Sequence, residues 1–145
     1  MGNKDIIGFS LKKLTTQQFA IIEDVVKDGE NIELKTSVNF GFDPQKKMIA
    51  VFFYVSFLQK NTPFLILETA SHFHILDESW SSFESNNQKE IIVPKGFISH
   101  LVMLAIGSSR GVLHAKTENT KYNKFLLPTI NVNELIKEDV KFNIM

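Results

Sequence analysis

From Lys47 to Leu58 the chain is apolar on both sides of a two-residue period. Ile49, Val51, Phe53, Val55 and Phe57 fall on one parity, and Ala50, Phe52, Tyr54 and Leu58 make most of the other. Side chains point alternately to the two faces of a strand. A strand of this kind must therefore be covered on both faces and belongs at the centre of a sheet. Its neighbours in sequence supply the partners. In residues 30–42, Ile32, Leu34, Val38, Phe40 and Phe42 share one parity, with Glu33, Lys35, Ser37 and Asn39 on the other, which marks a strand with one buried face. Asp43, Pro44, Gln45 and Lys46 between the two have turn chemistry, Pro44 fixing φ and Asp43 able to bond nearby backbone. Gln59 to Pro63 reads as a second turn. Phe64 to Ile75 reads as a third strand, with Glu68, His72 and His74 opposite Leu65, Leu67, Phe73 and Ile75. The expectation is three long antiparallel strands across residues 30–76.

The flanks are less regular. Phe9 and Leu11 suit a strand, while Leu11, Leu14 and Gln18 also fit a helix; the Thr and Phe content favours an additional strand. Asp77 to Gln88 is polar except for Trp80 and Phe83 and reads as a loop with about one helical turn. Pro94, Lys95 and Gly96 make a plausible helix start. The helix that follows is apolar almost all round in its first half, through Ile98, Leu101, Val102, Met103, Leu104, Ala105 and Ile106. One side can cover the sheet and the other asks for a second subunit. Ile98, Val102, Met103 and Ile106 are the candidate interface residues. Gly107 and Gly111 weaken or bend this helix. Thr117 to Lys124 reads as a loop. Asn131 with Glu134 has capping-box spacing for a last helix ending near Val140.

At 145 residues, with no internal repeat or low-complexity linker, the chain reads as one domain over residues 1–145. Sixteen basic residues cancel sixteen acidic ones, which argues against a nucleic-acid partner and against attraction to anionic membranes. The chain has no cysteine, which excludes disulfide scaffolds, thiolate zinc sites and cysteine nucleophiles. Ile6 to Phe9 is too short for a signal-peptide core, and no apolar run approaches a membrane span, so a cytoplasmic, soluble protein is expected. Met1-Gly2 resembles a myristoylation start, but Ile6 stands where a hydroxyl residue is wanted.

Catalytic patterns are sparse. His72 and His74 place two imidazoles on one strand face, about 7 Å apart by strand rise, with Glu68 on the same parity. The histidine pair is the one arrangement suggesting a metal, and apart from Glu68 on the same parity it has no third ligand nearby in sequence; no metal and no cofactor are expected. His100 and His114 stand in no motif. Ser108-Ser109-Arg110-Gly111 lacks the spacing of a phosphate-binding loop, and no nucleophile elbow occurs. An enzyme is not expected. Trp80 and Phe83, alone in a polar stretch, either pin that stretch to the sheet or edge an apolar groove. With Phe73 and Phe97 they are the candidate residues for binding an apolar partner. Thirteen phenylalanines against two tyrosines and one tryptophan fit either a Phe-rich core or a surface for apolar partners.

The order of these elements resembles the SecB family of export chaperones, and more closely its divergent SecB-like branch, over roughly residues 6–133. The likeness rests on Ile32–Phe42 and Met48–Phe57, on Thr62-Pro63-Phe64-Leu65-Ile66-Leu67-Glu68 leading into His72 to Ile75, and on Ile91-Ile92-Val93-Pro94 before the helix. It rests further on the Arg110-Gly111 step and on Leu127-Pro128-Thr129-Ile130-Asn131-Val132. The resemblance implies an α+β fold with a four-stranded antiparallel sheet and two helices packed on one face. It also implies homo-oligomers (dimer or tetramer) that hold unfolded or newly made polypeptides in apolar grooves without ATP or cofactor. Such a protein serves export, or a dedicated client such as an unstable toxin–antitoxin pair. Export members end in a tail that docks the SecA motor, whereas this chain ends Lys137 to Met145 with no acidic tail, so SecA docking is not expected. The alternatives are an adaptor for one folded partner, or a metal-dependent or small-ligand enzyme using His72 and His74.

Overall fold

The computed structural model describes residues 6–86 and 89–144. Met1-Gly2 and the Asn87-Gln88 end of the expected loop lie outside that description. Four strands, β1 (Phe9–Ile21), β2 (Glu33–Asp43), β3 (Met48–Gln59) and β4 (Thr62–Ile75), form one antiparallel sheet in the order β1-β4-β3-β2. The doubly apolar segment is β3, and it is central, as its pattern requires. Phe9 to Ile21 is a strand rather than a helix and pairs with β4 at the far edge. Its register against β4 shifts twice, between Leu11 and Lys13 and between Thr16 and Gln18.

The hairpins follow local chemistry. Asp43 Oδ1 accepts a hydrogen bond from the Lys46 amide at 3.1 Å in the β2–β3 turn. Lys60 and Asn61 have φ of 51° and 63° between the paired residues Gln59 and Thr62. Two left-handed residues in a two-residue loop suit the right-handed twist of the flanking strands. Nearby, the buried Gln59 amide both accepts from Lys27 N (2.7 Å) and donates to Lys27 O (2.8 Å), strapping the β1–β2 connection across the end of the sheet.

Helix α1 (Asp77–Phe83) follows β4, and the long α2 (Lys95–Thr117) lies on β3 and β4. Both cover the face formed by Val51, Phe53, Val55, Leu65, Leu67 and Phe73. The fold is thus α+β, a four-stranded antiparallel sheet with helices on one face. The stretch expected as a loop with about one helical turn opens with a seven-residue helix, because Trp80 and Phe83, three residues apart, fall on the same side and are both buried. By length and composition α2 could cross a bilayer, contrary to the expectation from sequence. Its apolar side, however, is packed on the sheet through Ile98, Leu101, Val102, Ala105, Ile106 and Leu113.

A buried hydroxyl pair crosses this interface. Ser109 Oγ donates to Ala105 O (2.8 Å), so the 2.7 Å contact with Thr69 Oγ1 has Thr69 as donor. Ser109→Ala should cost about 1–3 kcal/mol by leaving the Thr69 hydroxyl without its acceptor. The double variant Thr69→Val/Ser109→Ala should recover most of that loss. Urea unfolding of the two variants and the parent checks both statements.

The C-terminal region departs from expectation. Arg110 Nε and Nη2 donate to Leu127 O and Pro128 O, both at 2.8 Å, which anchors the chain after a short 3₁₀ turn at Lys121–Lys124. Asn131 does cap a helix, accepting from Asn133 N at 3.0 Å, but this helix, α3, covers only Val132–Leu135. The remainder is extended. β6 (Val140–Asn143) pairs antiparallel with β5 (Glu90–Val93) in a separate two-stranded sheet. The reason is an alternation at Val140, Lys141, Phe142 and Asn143, whose period of two cannot continue a helix.

Candidate functional site

A row of aromatic rings crosses the molecule near the start of α2. Phe9 on β1 meets Phe73 on β4 (5.9 Å between ring centroids), Phe97 (5.4 Å) and His100 (5.7 Å) on α2. Phe97 meets Phe83 (5.8 Å), Phe83 meets Trp80 (6.3 Å), and Trp80 stacks on Phe42 of β2 (5.3 Å). Phe42 in turn stacks on Phe142 of β6 at 4.3 Å, with the rings within 1° of parallel.

At the β1 end of this row lies a cavity of about 670 Å³ lined by Ile7, Phe9, Ser82, Pro94, Gly96, Phe97 and His100. Its position is set by how β1 is tied to α1. Gly8 N donates to Ser79 Oγ, and Leu76 N donates to Gly8 O, each at 2.9 Å. A Cβ at Gly8 would overlap the Leu76 side chain, which is 54% exposed and would have to turn aside, so glycine suits this close approach. Opposite, Pro94 and Gly96 open the first turn of α2, and a Cβ placed on Gly96 meets nothing within 4 Å. The walls are mostly aromatic and aliphatic. The Ser82 hydroxyl already donates to Ser79 O at 2.6 Å, and His100 is the one titratable side chain among the lining residues. Such a hollow has the size and the apolar lining to take a large apolar side chain.

The residues singled out from sequence divide sharply. Trp80, Phe83 and Phe73 are buried within the ring row, so they support the site from behind and offer no surface. Phe97 alone of the four reaches the cavity wall. On α2, Ile98, Val102 and Ile106 are buried against the chain's own sheet, while Met103 is 57% exposed. The exposed large apolar residues of α2 are Met103 and Leu104, and Leu11 and Leu14 of β1 are exposed on the same side of the sheet. Phe9 against His100, and Lys116 Nζ at 5.6 Å over the Phe19 ring, hold β1 alongside α2. Ile7, Phe9, Gly96 and Leu104 are the residues that the sequence reading missed. For Phe9 the signal existed, in its shared parity with Leu11; for Leu104 it was the helical spacing from His100.

His72 and His74 sit on the opposite face of the sheet. His72 has Lys13 and Ala50 as its cross-strand neighbours and the Phe52 ring at 6.5 Å, and His74 faces Ser10 and Met48. Among the described residues no three metal-binding side chains converge.

No protein-family model matches the chain, and no curated protein sequence matches it significantly. Solved structures do. A SecB-like chaperone of Mycobacterium tuberculosis (Rv1957), in complex with a ChAD peptide from the HigA1 antitoxin, aligns with a TM-score of 0.54 at 10% identity, covering 85% of this chain and 91% of that one. A Streptococcus agalactiae protein of unknown function aligns with a TM-score of 0.39 at 14% identity, over 87% and 99% of the two chains. The first likeness makes the fold SecB-like.

Proposed function

We propose that this chain is a polypeptide-binding protein of holdase type, which captures apolar segments of unfolded or newly made chains without ATP. The observation that carries the proposal is the open, aromatic-walled cavity at Phe9, Phe97 and His100 on a SecB-like fold. A cavity of this size takes one or two large apolar side chains, and the ring row behind it keeps the wall rigid, which lowers the ordering cost of binding. That the similar mycobacterial protein was solved with an antitoxin peptide supports polypeptide as the ligand class. It also makes a toxin–antitoxin partner a reasonable client alongside export substrates.

Homo-oligomerisation belongs to the same proposal. β1 is an edge strand, and its exposed Leu11 and Leu14 lie on the same side of the sheet as the exposed Met103 and Leu104 of α2, apolar surface that a second copy would cover. A cytoplasmic site of action is proposed with it.

The test has two arms. The purified protein should suppress aggregation of an unfolded client at stoichiometric concentration, and failure with every client tried would sink the proposal. Gly96→Trp should fill the cavity without touching the core. It should weaken binding of aromatic extended peptides roughly tenfold or more. Thermal stability should be unchanged or raised, because glycine inside a helix costs about 1 kcal/mol relative to better helix formers. A peptide array separates this reading from an adaptor: broad preference for aromatic segments supports a holdase, one discrete hit an adaptor.

A further inference from the structure

β5 and β6 are four residues each, too short for a stable ribbon of their own. The two strands are held differently. β5 belongs to the core, with Ile91 and Val93 fully buried and its other edge bridged to Glu84. β6 lies on it from outside, with Val140, Phe142 and Ile144 half-buried and Lys141 and Asn143 exposed.

β6 is held by backbone pairing and by apolar packing, with Val140, Phe142 and Ile144 all lying against the core. Besides the ladder to β5, Ile144 N donates to Lys89 O at 2.9 Å and Phe142 lies flat on Phe42. One residue before the strand, Asp139 Oδ1 accepts from Lys95 N at 2.8 Å. That amide opens α2, whose N-cap is Pro94 with no side-chain cap of its own. A carboxylate at a helix N-terminus is favoured by the unpaired amides and the dipole. None of these contacts is particular to this tail. The ladder is made by backbone, the Phe42 ring accepts any flat or bulky apolar group, and the α2 amide accepts any carboxylate.

We infer that the outer edge of β5, with the Phe42 ring as its shelf, is a strand-addition site for extended polypeptide segments. The segments it selects have apolar residues at alternate positions, and the chain's own Val140–Ile144 fills the site in cis. Adding a strand to an exposed edge is an established mode of peptide recognition: backbone gives affinity and alternate side chains give selectivity. The site deepens the polypeptide-binding proposal, and Trp80 and Phe83 connect it to the cavity through continuous ring contacts. A tethered tail competes at an effective concentration on the order of millimolar, so only well-matched segments displace it.

The experiment uses the full chain. Ile92 and Lys141 stand opposite each other in the ladder, and the chain has no cysteine, so Ile92→Cys with Lys141→Cys introduces the only thiols and can lock the tail reversibly. The probe is a fluorescein-labelled synthetic peptide with the sequence of Lys137–Ile144. Binding should be measurable to the reduced form, lost in the oxidised form and restored by reductant. Phe142→Ala in the full chain should bind the probe about tenfold or more tightly than the parent does. Gly96→Trp should leave this binding unchanged, so failure of the cavity and failure of the strand site give different results. Equal binding to oxidised and reduced forms overturns the inference, as does absence of binding to the reduced form at about millimolar peptide.

Discussion

Val102→Asp should unfold the chain, whereas Met103→Asp should leave it folded. The two residues are adjacent on a helix whose first half is apolar nearly all round, yet Val102 is 0% exposed and Met103 is 57% exposed. Val102 faces the sheet among Ile98, Leu101, Ala105 and Ile106. An aspartate there must be buried without a partner or drive the helix off the sheet. Either outcome costs more than about 4–5 kcal/mol, comparable with the 5–15 kcal/mol that holds a typical domain together. At Met103 the charge enters solvent, and the cost to the folded monomer should be within about 0.5 kcal/mol. Circular dichroism and urea melts read the first difference. The solution mass reads a second: if a second copy covers Met103 and Leu104, the Met103 variant should run as a smaller species with native circular dichroism. A folded Val102→Asp monomer would mean that α2 does not sit on the sheet through that side.

Phe83→Ala should lower stability by about 3–5 kcal/mol, the usual cost of removing a buried phenylalanine. The ring is 2% exposed and bridges Trp80 of α1 to Phe97 of α2, at 6.3 and 5.8 Å. Its loss leaves a hole between the two helices and detaches the cavity wall from its support. Peptide binding should fall too, but indirectly. Lowering the temperature to restore the folded population should recover most of the binding, since Phe83 does not line the cavity. A variant that stays as stable as the parent but cannot bind would instead place Phe83 in the binding surface.

Both predictions fall where sequence was least informative. The period of two in residues 30–75 is a local signal, and it located β2, β3 and β4 and the central position of β3. It also put the histidines on the parity opposite Leu65, Leu67 and Phe73, and the structure shows the helices on the side of those three. A helix apolar on all sides does not declare which side meets the sheet, because periodicity needs contrast; Ile98, Val102 and Ile106 were therefore read as available when they are core. The β5–β6 pairing joins segments about fifty residues apart, and four-residue strands carry too little pattern to announce a partner. The cavity is more remote still from sequence. It exists because the ends of β1, α1 and α2 meet, and only Phe97 among the aromatic candidates lies on its wall. The Leu127-Pro128 segment, noticed for its resemblance, has a plain physical task in receiving the Arg110 guanidinium.

The two register shifts in β1 have a bearing on what the sheet does with its outermost side. A long, even edge offers an unbroken line of amide and carbonyl groups, and any extended chain can copy itself onto it. Here the extra residues Lys12 and Gln17 divide thirteen residues into three short runs, and Lys12 and Lys13 place charge beside the first break. An arriving strand can match one run but not the next unless it carries the same irregularities. A second copy of β1 would carry them; an arbitrary sticky sequence would not. The broken edge thereby favours a partner with matching irregularities over an arbitrary extended chain, which guards this side of the sheet against open-ended growth.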